Sequence, residues 1–176
     1  MEELIAKRYA KALMESCSKK ELQAIENALS AIAALFSDWK VKEFIISPEV
    51  EKSAKEEILL VPFQNAGKKF ENLIKLLAEK DRLEIIPALA NELKIQRALN
   101  ERKFDGVVYS EFKLSDSELK KIAEALSKKV DGEVILHQGK EPYDGIKVEV
   151  NTVGIEIEFS KSKIKKQLIE NILKAI

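Results

Sequence analysis

Few side chains in this chain of 176 residues are of the types that carry covalent or acid–base chemistry. His137 is its one histidine and Cys17 its one cysteine. A histidine acts as acid, base or metal ligand only beside a group that orients it. His137 lies in "GEVILHQG", a short β-rich run between glycines, and reads as an exposed or satisfied polar residue. Cys17 follows "YAKALMES" and has Ser16, Ser18 and Lys19 around it. A thiolate nucleophile needs a basic or cationic partner, and no histidine is placed to serve it. One cysteine also excludes an internal disulfide and a multi-thiolate metal site, which fits a reducing compartment. Glu56 and Glu57 are adjacent, so on a helix they point about 100° apart and make no acid–base pair. The six glycines form neither G-x-G-x-x-G nor a Walker-type loop. No enzyme activity, cofactor or metal is expected, and the function is to be sought in surfaces.

Charge narrows the partners. Lysine plus arginine total 30 and aspartate plus glutamate total 30, and both sides of Lys103/Phe104 are close to neutral. Neither part has the one-sided basic field that holds phosphates, which counts against an RNA-binding factor and against nucleic acid in general. Charged residues make up 34% of the chain, so the surface is well solvated and mixed in sign. No run of roughly 18 apolar residues could span a bilayer. "MEELIAKRYAKAL" enters helical pattern at once, with no signal-peptide or transit pattern. The mature protein is expected to begin here, in a bacterial cytoplasm, without direct membrane insertion.

The elements that position these residues change character once. Residues 3–16 form an amphipathic segment, and "KKELQAIENALSAIAALF" repeats Leu22, Ile25, Leu29, Ile32 and Phe36 at helical steps. A short apolar segment surrounds Phe44–Ile46. "SPEVEKSAKEEILL" offers Ser47 as N-cap and Pro48 at the first helical position. Pro62 marks a break, Asp81 and Arg82 a turn, and Pro87 the first turn of a helix reaching about Arg102. Six helical segments predict an all-α bundle over residues 1–104. Residues 105–176 then read β-α-β-β-β-α. "GVVYSEF" and "GEVILHQG" are β-rich, "LSDSELKKIAEALSKKV" opens with the capping box Ser115 and Glu118, and "IKVEV" and "GIEIEF" alternate as half-exposed strands. A last amphipathic helix places Ile164, Leu168 and Ile172 on one face, with Ile169 and Leu173 beside it. The fold class is mainly α, a six-helix bundle followed by a small α+β domain.

Two helices are apolar over a wider arc than a bundle requires. Ala12, Ile5, Tyr9, Leu13, Ala6, Ala10 and Met14 of the first cover roughly 200°, against a little over 100° for an ordinary core face. In "NLIKLLAEKDRLEIIP" (Asn72–Pro87), Leu73, Ile74, Leu76, Leu77 and Ala78 join Phe70 in a similar arc. Either both helices are central ones packed on several sides, or they flank a groove that accepts an amphipathic partner helix.

"RYAKAL" (Arg8–Leu13), "SPEV" (Ser47–Val50) and above all "NLIKLLAEKDRLEIIP" resemble the delta subunit of bacterial F-type ATP synthase, equivalent to the mitochondrial oligomycin-sensitivity-conferring protein. Asn72, Leu73, Ala78, Glu79, Arg82, Leu83 and Pro87 match the family pattern that closes its N-terminal domain, and length and element order match over the whole chain. The resemblance implies a non-catalytic stator subunit on the cytoplasmic face of the inner membrane. Its N-terminal domain would cap the catalytic head and receive the N-terminal helix of an alpha subunit on its first and fifth helices. The C-terminal domain would join the b-type stalk subunits. Tyr9, Ala12 and Leu13 on one side, and Leu73, Ile74 and Leu77 on the other, are the expected groove walls. The C-terminal half departs from the family pattern. Gly145 stands alone in "YDGIKVEV", and "IEFSKSKIKKQL" replaces an Asp-Gly-Ser, leaving Ser160 or Ser162 to cap the last helix. A helical adaptor of an unrelated complex would share the apolar excess but not the sixteen-residue motif.

Overall fold

Apolar residues at three- and four-residue steps become helices throughout the first half. A computed structural model describes residues 2–165. Its helices are α1 (Glu2–Ser16), α2 (Lys19–Leu35), α3 (Trp39–Ile46), α4 (Lys52–Leu60), α5 (Lys68–Glu79) and α6 (Ile86–Glu101). The start of α2 is fixed by a capping box in which the Ser18 N–H donates to Glu21 Oε2 at 2.7 Å and the Glu21 N–H donates to Ser18 Oγ. Asp38 caps α3 by accepting from the Lys40 N–H at 2.9 Å.

α4 begins later than its sequence suggests. Ser47 closes α3 rather than opening α4, and its hydroxyl accepts from the Glu49 N–H within the intervening turn. Lys55 explains the difference: its buried ammonium donates to the Ser47 carbonyl at 2.6 Å, so that carbonyl terminates one helix instead of starting the next. The break after α4 is a 3-10 turn, Val61–Ala66, released by Gly67 at φ 90°. Between α5 and α6 the chain reverses at Asp81, φ 53°, where the Arg82 N–H reaches back to the Leu77 carbonyl at 2.8 Å. Pro87 lies in the first turn of α6, where a missing N–H costs nothing.

Ile25, Leu29 and Ile32 of α2, Ile74 and Leu77 of α5, and Ile86, Leu89 and Leu93 of α6 are among the wholly buried side chains of the bundle. Glu26 sits on the same stripe of α2 and pairs with Arg97 of α6. On the outside, Trp39 at the start of α3 is 67% exposed, with the Lys40 ammonium 5.9 Å from its ring centre.

The second half is a four-stranded sheet with a helix. β1 (Lys103–Ser110), α7 (Asp116–Val130), β2 (Glu133–Gln138), β3 (Gly145–Val150) and β4 (Ile155–Ser160) follow in sequence. The strand order is β2-β1-β3-β4, with β1 and β2 parallel and the other pairs antiparallel. Phe104, Val108, Leu126, Val134, Leu136, Val148 and Val150 form its buried core. The strand read from Gly106 to Phe112 in fact runs three residues earlier at its start, because Lys103 and Asp105 occupy the open face while Phe104 turns inward. Phe112 lies beyond it and is exposed. The Ser115–Glu118 capping box is present, and α7 ends on Asp131 in the left-handed region.

Residues 161–165 are helical. Ser160 caps them by accepting from the Lys163 N–H at 3.3 Å, while Asp144 accepts from the Ser162 N–H and hydroxyl. Ile164 is exposed; Leu168, Ile169, Ile172 and Leu173 lie outside the described residues. The chain divides into two compact units, Met1–Arg97 and Ala98–Ile176. Their border falls inside α6, ahead of residue 104, where Ala98 packs against the core of the second unit.

Candidate functional site

α1 is tied to the start of α5 and to the turn that follows α5. At one end the Lys69 ammonium donates to the Ser16 carbonyl at 2.6 Å and to Glu21 Oε2 at 3.0 Å. At the other, Arg82 Nη1 approaches Tyr9 Oη at 3.4 Å. The first tie reinforces the cap of α2. The Glu21 carboxyl is drawn down to about 2, mainly by the Ser18 backbone N–H, then by the Ser18 hydroxyl and Lys69.

The core takes most of both apolar arcs. Ala6, Ala10 and Leu13 of α1 are buried, as are Phe70, Leu73, Ile74, Leu77 and Ala78 of α5. Ile74 and Leu77 are 0% exposed, so they hold the bundle together and offer a partner no surface. Leu13 and Leu73 keep only a margin of contact with the outside. The residues sequence reasoning named are therefore split. Leu13, Leu73, Ile74 and Leu77 pack inward, Tyr9 is half-buried, and Ala12 is exposed.

What remains outward is one flank of each helix. At about 100° per residue, Ile5, Tyr9, Ala12 and Ser16 fall along a single side of α1; Ile5 and Tyr9 are half-buried there. Lys69, Leu76 and Lys80 fall along one side of α5 with the buried Leu73 between them, and Leu76 is 41% exposed. Tyr9 and Lys69 carry side-chain ties, and Ala12 shares the flank of Tyr9 as Leu76 shares that of Lys69. Leu76 was part of the arc but not of the predicted walls. Its signal is legible on the helical wheel: it sits about 100° from Leu77 and so at the rim of the buried face. Leu4, exposed at the start of α1, extends the apolar character beyond the arc.

A second concavity, of about 450 Å³, opens beside the start of α5 and is lined by Leu60, Val61, Phe63, Gln64, Lys68 and Phe70. Glu57 and Glu71 also line it, and Glu71 pairs with Lys75 at 2.5 Å. Nothing in either place resembles a reacting site. Among the described residues no group of histidine, cysteine, aspartate and glutamate could hold a metal ion. Cys17 is half-buried with the Ser16 hydroxyl 3.7 Å from its sulfur, and His137 is exposed on β2. No helix among the described residues is long and apolar enough to cross a membrane.

Comparison with known proteins covers the whole chain. The model of the ATP synthase delta (OSCP) subunit family matches residues 5–168. The chain is 93% identical to the ATP synthase subunit delta of a Nitratiruptor species over the full length of both. It is 41% identical to that of Sulfurimonas denitrificans and 39% identical to that of Aliarcobacter butzleri, again over the full length of both chains. Among solved structures, a chain of the Toxoplasma gondii mitochondrial ATP synthase hexamer superposes with a TM-score of 0.64 at 18% identity, covering 96% of this chain and 97% of that one. That likeness extends the fold to a distant complex.

Proposed function

The chain belongs to the ATP synthase delta (OSCP) subunit family, and from that premise we propose that its α1–α5 flank seats the N-terminal helix of an alpha subunit. The protein is a non-catalytic stator component of F-type ATP synthase. In this reading the helical unit, placed at residues 1–104 from sequence, grips the catalytic head. The sheet unit, residues 105–176, joins the b-type stalk subunits, and the protein works at the inner-membrane face as a peripheral part of the complex.

One observation carries the head contact. Once the core has claimed Leu13, Leu73, Ile74 and Leu77, Ile5, Tyr9 and Ala12 on one flank of α1 and Leu76 on α5 are left as apolar surface. A helix with apolar residues at three- and four-residue steps lays its apolar face on a surface of this kind, and Ala12 is small enough to admit its backbone. The task is mechanical. A stator must bind the head through a surface that does not yield under torque, and the ties at Lys69 and Arg82 brace α1 against α5 and the turn that follows it.

Calorimetry with a peptide of the alpha-subunit N-terminus tests this on the wild-type protein and on Ala12→Trp. At about 25 cal/mol per Å², losing roughly 60 Å² of apolar contact weakens binding tenfold. The variant is expected to melt like wild type and to bind at least tenfold more weakly. Equal binding removes Ala12 from the interface, and a wild-type protein that ignores the peptide overturns the assignment.

A further inference from the structure

We propose that the Arg82 guanidinium, with the Tyr9 hydroxyl beside it, takes the carboxylate of an aspartate or glutamate on the helix that docks against α1 and α5. The proposal rests on the reading that this surface seats the N-terminal helix of an alpha subunit, and it names the group by which that helix is recognised.

The chain has four arginines. Two are spent within the fold: Arg97 pairs with Glu26 at 2.7 Å and Arg102 with Asp131 at 2.6 Å. Arg8 and Arg82 pair with no carboxylate among the described residues, and both belong to the neighbourhood of Tyr9. Arg8 precedes it in sequence, and Arg82 is bonded to its hydroxyl. Arg82 is half-buried. A guanidinium has five N–H donors, yet the one hydrogen bond of this side chain among the described residues is from Nη1 to Tyr9 Oη, at 3.4 Å. Nearby carboxylates are engaged elsewhere: Asp81 accepts from Lys52 at 2.7 Å and Glu79 from Lys80 at 2.9 Å. A cation that has lost part of its water and gained one long bond still lacks its strongest interaction. Its backbone is fixed. The Arg82 N–H donates to the Leu77 carbonyl at 2.8 Å, its carbonyl accepts from the Ile85 N–H at 3.1 Å, and Leu83 beside it is buried. Little backbone ordering is therefore needed when a ligand arrives.

The surroundings select what carries the carboxylate. Arg8 is exposed, three residues from Ile5 and four from Ala12, so a cation shares one side of α1 with apolar residues. A nucleic acid would need a row of cations without that interruption. An amphipathic helix instead meets Ile5, Tyr9 and Ala12 with its apolar side and bears carboxylates at the margin of that side. The planar fork of Arg82 matches one of them with two parallel N–H bonds. The Tyr9 hydroxyl, which accepts from Arg82, still has its own proton to donate to the same carboxylate. Apolar contact alone leaves a docked helix able to slide by a turn, and one directed ion pair fixes its register.

Calorimetry on the full-length chain tests this with the alpha-subunit N-terminal peptide and with a set of peptides in which each aspartate or glutamate is replaced in turn by its amide. On the wild-type protein one of these replacements is expected to weaken binding at least tenfold. Arg82→Gln is expected to bind the parent peptide at least tenfold more weakly and to bind that amide peptide as well as it binds the parent. An arginine that only braces α1 through Tyr9 would weaken every peptide of the set by the same factor, and that result overturns the proposal. Equal binding by Arg82→Gln and wild type, or equal binding of all the peptides to wild type, overturns the carboxylate contact and leaves the seating of the helix intact. A wild-type protein that binds no peptide overturns both. Where Arg82→Gln melts earlier than wild type, the peptide set on the wild-type protein decides alone.

Discussion

The Arg97 guanidinium grips the Glu26 carboxylate with two nitrogens, Nε to Oε2 at 2.7 Å and Nη2 to Oε1 at 3.3 Å, while Nη1 bonds to Gln23. The side chains are 22% and 9% exposed. The pair fastens the last turns of α6 to the middle of α2, where the packing is otherwise apolar. Breaking it from one side strands a charge in the core, which costs about 3–5 kcal/mol in such sites. Arg97→Ala is expected to lose about 3 kcal/mol in urea unfolding, and the double change Arg97→Leu with Glu26→Leu to recover most of that loss. Equal loss in single and double variants would show that the pair is not what matters.

Glu21 gives an acid signature. Its folded value lies near 2 against an ordinary 4.5, so its contribution is complete above the unfolded value and disappears as pH falls through the window from about 4.5 to 2. Glu21→Gln should be less stable than wild type above about pH 5 and lose less stability through that window, so that the two curves converge as pH falls towards 2. Urea midpoints measured from pH 2 to 7 on both proteins decide it; parallel curves would exclude the carboxylate.

Leu76 and Leu77 should separate binding from folding. Leu77→Ala leaves a hole in the bundle and is expected to cost about 2–5 kcal/mol. Leu76→Ala removes an outward side chain and should leave the melting temperature within a degree or two, yet weaken the alpha-peptide complex. A Leu76 variant that binds normally would limit the interface to α1.

Gly145 stands at φ 118°, and a Cβ there would meet the Phe159 carbonyl oxygen at 1.8 Å. Gly145→Ala is expected to destabilise the β3–β4 hairpin by at least about 2 kcal/mol, since both backbone strain and collision oppose it. Gly154, at φ 65° in open space, should accept asparagine at a cost within about 1 kcal/mol. Thermal unfolding of the two variants tests the contrast.

A chain ending at Glu101 is expected to fold as an almost purely helical protein, because the apolar core of the first unit closes within it. Circular dichroism with substantial sheet, or a melt without cooperativity, would place the border elsewhere.

Periodicity made the six helices readable, since Leu22, Ile25, Leu29 and Ile32 repeat as a buried face must. The turn at Asp81 and Arg82 and the Ser115–Glu118 cap were also legible, because their chemistry is local, while the Ser18–Glu21 cap has the same spacing and appears only in the structure. The start of α4 was not, for Ser47 is claimed by Lys55, eight residues along the chain, and a pattern rule sees no such bond. Nor was the Glu26–Arg97 pair, although a glutamate on the stripe of Ile25 and Leu29 was a signal that a cation had to meet it. The apolar arcs of α1 and α5 were correctly seen as wide. How they divide between core and surface depends on neighbours from other helices, which placed Ile74 and Leu77 inside. Strand order likewise waits on pairing, and nothing within "GEVILHQG" says that its companion is β1.

Trp39 is the sole tryptophan of the chain and stands on the surface of α3. Its indole is hydrated before the protein unfolds and hydrated afterwards, so its emission changes little as the core opens. A melt followed by tryptophan fluorescence would look shallow and misstate the stability of a bundle whose buried residues are aliphatic, apart from Phe70. The same indole would brighten or shift blue as soon as another molecule covered α3. The protein thus carries an intrinsic dye that is nearly blind to denaturation and sensitive to company.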